Sequence, residues 1–119
     1  TNDLDWHGKK KLHVTAAGRT RFDTLMREPI SKNAHMDDVY LFKLSNLSLV
    51  DRTLAQQIIA DFRAEKQSQC VQYAEYTQQL QLHHSEASFF KSAMQINKLQ
   101  HALANTYLEH LDIIESELE

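Results

Sequence analysis

The chain holds 119 residues, 42% of them hydrophobic and 24% charged, with two glycines, one proline and one cysteine. That length suits one domain, and so little Gly and Pro, against roughly 12% in average sequences, excludes a turn-rich β-sandwich, a collagenous repeat and a Pro-rich linker. One cysteine makes no internal disulfide, and the apolar runs fall far short of the roughly 20 residues that span a bilayer, so the expectation is a mainly helical, cytoplasmic chain without a membrane partner.

The net charge of −3 is unevenly placed. Residues 1–27 hold six basic against three acidic side chains, net +3, while residues 28–119 hold seven against thirteen, net −6. A polyanion would meet attraction at the start of the chain and repulsion elsewhere. The first residue is Thr1, and Thr1-Asn2-Asp3 offers neither a helix start nor a core face. The chain is therefore expected to be an excised piece of a longer protein.

In chain order, Gly8 marks a turn, after which Leu12 and Val14 alternate with polar neighbours, as in one half of a hairpin. Thr15 can cap a helix over Ala16 to Arg27, its side-chain oxygen accepting from the amide of Ala17 or Gly18, with Phe22, Leu25 and Met26 on one face. Glu28-Pro29 ends it, because proline drives its predecessor out of the helical region. From Asp37 a short helix, apolar almost all round, is expected to be buried. Ser48 and Asp51 then form a capping-box arrangement that starts a long helix, free of Gly and Pro to Leu82 and about 45 Å in length.

His83-His84-Ser85 breaks the run, and Ser85 can cap a last helix that reaches the end of the chain with a near-heptad stripe through Ile96, Leu103, Tyr107, Leu111 and Ile114. The two rods predict an antiparallel pair. Each keeps apolar residues on more than one face, which one hairpin cannot bury, so a second copy is the expected partner. The expected interface takes Ile59, Phe62, Tyr73, Tyr76 and Leu80 from the first rod. From the second it takes Ile96, Leu103, Tyr107, Leu111 and Ile114.

The stretch Lys10-Lys11-Leu12-His13-Val14-Thr15-Ala16-Ala17-Gly18-Arg19 resembles the end of the winged-helix domain in bacterial PadR-like transcriptional regulators, where a basic wing strand runs into Leu-Thr-x-x-Gly-Arg and a linker helix. The remainder of the chain resembles the helical C-terminal domain of the branch related to virulence activator alpha. The resemblance covers essentially the whole chain, although its specific part is about ten residues. It departs from the family pattern in having Val14 where Leu is commoner and Leu12 where many members carry Tyr.

The resemblance implies that residues 1–27 are a wing remnant and linker helix, and residues 28–119 a helical dimerisation domain. It implies a coiled-coil-like homodimer and DNA binding through a winged helix ahead of Thr1. Some members also bind a small aromatic effector between subunits. The only tryptophan is Trp6, outside the helices, so the flat indole platform that some effector-binding relatives use in this domain is lacking. The class that competes with a regulator is a stand-alone helical adaptor or scaffold without DNA binding.

Lys9, Lys10 and Lys11, with His7 and Arg19, are the strongest chemical feature: ammonium groups at a turn can neutralise backbone phosphates without reading bases. The plain alternative is a solvated basic turn. Among the seven histidines, His83 and His84 are adjacent and diverge on a helix, while His101 and His110 are nine apart, so no metal site is expected. No cofactor and no enzymatic activity are expected either, since Cys70 has no base near it in sequence and no Gly-rich loop exists to cradle a phosphate. Tyr73 and Tyr76, with Phe89, Phe90 and Tyr107, could line an effector pocket, the hydroxyls of Tyr73, Tyr76 and Tyr107 orienting an aromatic acid or a planar drug; aromatic stripes at helical spacing otherwise read as core.

Overall fold

The structure, a computed structural model, describes residues 2–4, 10–12, 15–83 and 87–118. It is mainly helical and divides into two compact units, Thr1–Leu54 and Ala55–Glu119.

In the first unit, β1 (Asn2–Leu4) and β2 (Lys10–Leu12) pair antiparallel, Asn2 opposite Leu12 and Leu4 opposite Lys10. Helix α1 spans Ala16–Arg27. Its start is set locally: Thr15 is extended, its Oγ1 accepts from the Gly18 amide at 3.0 Å, and its carbonyl accepts from the Arg19 amide at 2.8 Å. Its end is set by Pro29, which keeps Glu28 extended at φ −63°, ψ 139°. Met26 is fully buried and Phe22 half-buried, but Leu25 stays exposed, so the expected three-residue face is narrower than its pattern.

Helix α2 spans Met36–Ser45 and carries Asp37 and Asp38 in its first turn, where the amide ends of the helix favour negative charge. The all-round burial expected of it does not occur. Met36 and Tyr40 are buried, whereas Val39, Leu41 and Phe42 are exposed. Lys43 takes a buried place instead, its Nζ donating to the Glu28 carbonyl at 2.6 Å. An ammonium at the carbonyl end of α1 satisfies an acceptor that the helix leaves open, and the favourable dipole offsets part of the cation's desolvation.

A short 3-10 turn over Leu47–Leu49 precedes helix α3, Arg52–His83. Ser48, expected to cap α3, lies inside that turn. The cap is Asp51, whose Oδ1 accepts from the Leu54 amide at 2.8 Å while its Oδ2 accepts from Arg27 at 3.3 Å. The Leu54 amide, and after it the Arg27 guanidinium, hold the Asp51 carboxyl below its ordinary value.

The second unit is a pair of long helices, the body of α3 and α4, Ala87–Ser116. The cap expected from Ser85 falls outside the described residues. At about 1.5 Å per residue the 32 residues of α3 make a rod of about 48 Å. Cross-contacts pair Arg63 with Asp112 and Glu115, Cys70 with Asn105, Tyr73 with His101 and Thr77 with Asn97, so partner numbers fall as α3 advances and the helices run antiparallel. The core holds Ala55, Ile58, Ile59, Phe62 and Leu80 from α3 with Ala104 and Leu111 from α4. Its middle is polar: Lys66 is 3% and Asn97 4% exposed.

Candidate functional site

Two features on the α3–α4 pair combine side chains that the core alone does not require. The first is the polar middle. Lys66 Nζ lies 4.2 Å from the centroid of the Tyr107 ring and 5.3 Å from that of Phe62, and donates to Gln69 Oε1 at 3.2 Å. A desolvated ammonium is tolerated there because ring faces present negative charge to it. Nearby, the Asn97 amide donates to the Tyr73 carbonyl at 2.9 Å and to Thr77 Oγ1, and Thr77 in turn donates to the Tyr73 carbonyl at 3.0 Å. These bonds fix the longitudinal register of α4 on α3, since sliding by one turn would leave a buried amide without partners.

The second feature is an open groove of about 560 Å³ further along the pair. Tyr73, Tyr76 and Gln72 form its α3 wall, and Phe89, Ile96 and Asn97 stand on the α4 side with Ser92, Ala93 and Gln100. Among the described residues, amides and hydroxyls are its only polar groups, and no charged side chain lines it. It can therefore receive a flat apolar group with a few hydrogen-bonding atoms, but it offers no countercharge to a carboxylate.

The expected pocket trio is divided by this geometry. Tyr73 and Tyr76 line the groove, as does Phe89, but Tyr107 does not: its ring packs on Phe62 at a centroid distance of 5.3 Å and an interplanar angle of 57°. In the antiparallel pairing Tyr107 is level with Phe62 and Lys66, whereas Tyr73 and Tyr76 are level with the segment from Ile96 to His101. Phe90 is half-buried and likewise not part of the groove wall. Gln72, Ser92, Asn97 and Gln100 join the groove without any sequence signal, because isolated polar residues on a long helix do not announce the face they share.

The ten residues expected at an interface also separate. Ile59, Phe62, Leu80 and Leu111 are buried within the chain itself, and Tyr73, Tyr107 and Ile114 are half-buried. Tyr76, Ile96 and Leu103 are exposed. Apolar spacing alone does not say whether a side chain is covered by its own chain or by another, and here much of the stripe closes on α3.

Of the basic group, His7 and Lys9 fall outside the described residues, and Lys10 and Lys11 are placed by backbone in β2. Arg19 is already engaged. Its Nη2 donates to the Leu49 carbonyl at 3.1 Å, its Nε lies 3.5 Å from Asp23, and the guanidinium carbon is 5.7 Å from the centroid of the Phe22 ring. Among the described residues no three or more His, Cys, Asp or Glu side chains gather as a metal site, and no helix is long and apolar enough to cross a membrane. No family model, no curated protein and no solved structure matches the chain.

Proposed function

We propose that the chain is the helical dimerisation domain of a bacterial PadR-like transcriptional regulator of the cytoplasm, preceded by the last strand of a DNA-binding wing. The observation that carries this reading is the geometry of Thr15 to Arg19, the segment where the family resemblance is most specific. Three residues of the motif have physical roles: Thr15 caps α1, Gly18 supplies the capped amide, and Arg19 ties α1 to the Leu49 carbonyl. Such a brace suits a linker helix that must pass the orientation of a wing to the helices behind it. In this reading Arg19 is a positioning residue, and phosphate contact falls to Lys9, Lys10 and Lys11 with His7.

A stand-alone adaptor would share the rods but has no use for a basic strand feeding a braced helix. The sequence ahead of Thr1 separates the two: about 60 residues with a helix-turn-helix pattern are expected there, and their absence would sink the regulator reading. In that full-length protein, replacing Lys9, Lys10 and Lys11 together with Ala is expected to weaken cognate and random duplexes alike. The salt dependence should flatten by up to about 0.9 in slope per lost phosphate contact. Unchanged affinity with a new sequence preference, read by fluorescence anisotropy, would give the strand a different role.

The groove supports a second reading, effector sensing, because it brings Tyr73 and Tyr76 together beside Phe89. A flat neutral or cationic aromatic compound is the expected guest, with phenolic acids disfavoured by the lack of a lining cation among the described residues. At about 100 times its dissociation constant such a compound should add roughly 2.7 kcal/mol to the fold, seen as a rise in melting temperature. No shift across a panel of flat aromatics would assign the tyrosines to packing alone.

A further inference from the structure

The segment Ser48-Leu49-Val50-Asp51 holds two competent helix starts, and the folded chain uses the second. Asp51 caps α3 through its bond from the Leu54 amide, while Ser48 lies exposed in the 3-10 turn. Serine and aspartate are comparable N-caps, so the side chains alone do not choose between them. A start at Ser48 would put Asp51 at the third helical position, from which an acidic side chain reaches back to the amide of the cap residue. It would lengthen α3 by Leu49, Val50 and Asp51, about 4.5 Å. None of the three is Gly or Pro, so the sequence itself does not stop the helix there.

Backbone bonds leave the two starts close to balance. In the longer helix the amides of Arg52, Thr53 and Leu54 would donate to the carbonyls of Ser48, Leu49 and Val50. Against these stand the Leu49 amide on the Asn46 carbonyl at 3.0 Å, the Val50 amide on the Leu47 carbonyl at 3.4 Å, and the Asp51 cap itself. A contact from elsewhere therefore decides, and α1 supplies it. Arg19 Nη2 donates to the Leu49 carbonyl, the same acceptor that the longer helix would give to Thr53.

We propose that residues 48–51 are a two-position switch for the start of α3, set by whether α1 is docked. With α1 docked, Arg19 holds the Leu49 carbonyl and Val50 is extended at φ −122°, ψ 164°, which keeps the helix from growing backward. With α1 released, the Asp51 start loosens, Val50 turns helical, Ser48 becomes the cap, and α3 begins three residues earlier. The device lies wholly within the first unit and needs neither DNA nor an effector to operate.

The Cα chemical shift of Val50 in the isotope-labelled chain reads the switch, because helical and extended backbone displace it in opposite directions. Asp51→Glu is the discriminating substitution: glutamate is not among the favoured N-caps, yet it is the preferred residue three positions after a capping serine. Combined with Arg19→Ala it should turn Val50 helical, and adding Ser48→Ala should reverse that shift. Asp51→Glu alone, with Arg19 in place, should move Val50 less than the pair does. Arg19, Ser48 and Asp51 are exposed, so the helical circular dichroism of the rods should persist throughout. An extended Val50 in the Arg19→Ala, Asp51→Glu variant, coil shifts from Leu49 to Leu54, or a helical Val50 that survives Ser48→Ala would each overturn the switch. Equal shifts with and without Arg19 would overturn its control by α1.

Discussion

Phe62→Ala is expected to lower stability by about 3–5 kcal/mol, the range for removing a fully buried phenyl ring. Phe62 has no solvent exposure, and its ring meets Tyr107 and stands beside the Lys66 ammonium. Truncation would remove the transfer term of the ring, open a cavity between α3 and α4, and take away one of two aromatic surfaces that make the buried cation tolerable. Small domains hold about 5–15 kcal/mol in total, so the variant should retain only a fraction of its stability or fail to fold. Urea unfolding followed by far-ultraviolet circular dichroism gives the measurement, with Phe62→Leu as the milder comparison. A loss below about 1 kcal/mol would mean that this ring is not the centre of the pair.

Leu103→Glu and Tyr107→Glu, four residues apart on one helix, should fail in different ways. Leu103 is about half exposed in the single chain, so a carboxylate there meets water in the monomer and is desolvated only at a partner. It should weaken self-association at least ~100-fold, about 2.8 kcal/mol at 1.4 kcal/mol per decade, with the helical signal retained. Tyr107 packs against Phe62 and under Lys66, so a carboxylate there disrupts the monomer's own core. Sedimentation and circular dichroism on both variants read the difference; a dimeric, folded Leu103→Glu would take Leu103 out of the interface.

The helices are legible in the sequence where their boundaries are local. Thr15 and Pro29 fix α1 through interactions within a few residues, and both limits of that helix can be read directly. The start of α3 is harder, because Ser48 and Asp51 are both competent caps and only the 3-10 turn over Leu47–Leu49 decides for Asp51. Burial of Lys43 and Lys66 is not legible at all. Lysine is a surface residue unless a specific acceptor or ring meets it, and those partners, the Glu28 carbonyl and the ring of Tyr107, are distant in sequence. The groove is half legible, since Tyr73 and Tyr76 lie on one helix three residues apart, but which α4 residues face them depends on a hairpin register that the Asn97 bonds help to set.

Asp51 gives the first unit a property of a different kind. One carboxylate holds two helix ends, capping the first turn of α3 with one oxygen and receiving Arg27 from the last turn of α1 with the other. Rotation of α1 that pulls Arg27 away also draws on the residue that closes α3, so a torque applied at one helix is felt as fraying of the next. Amide hydrogen exchange at Leu54 is thereby a local gauge of the Arg27 contact: it should quicken modestly in Arg27→Ala, since the exposed carboxylate that caps α3 then loses its cation.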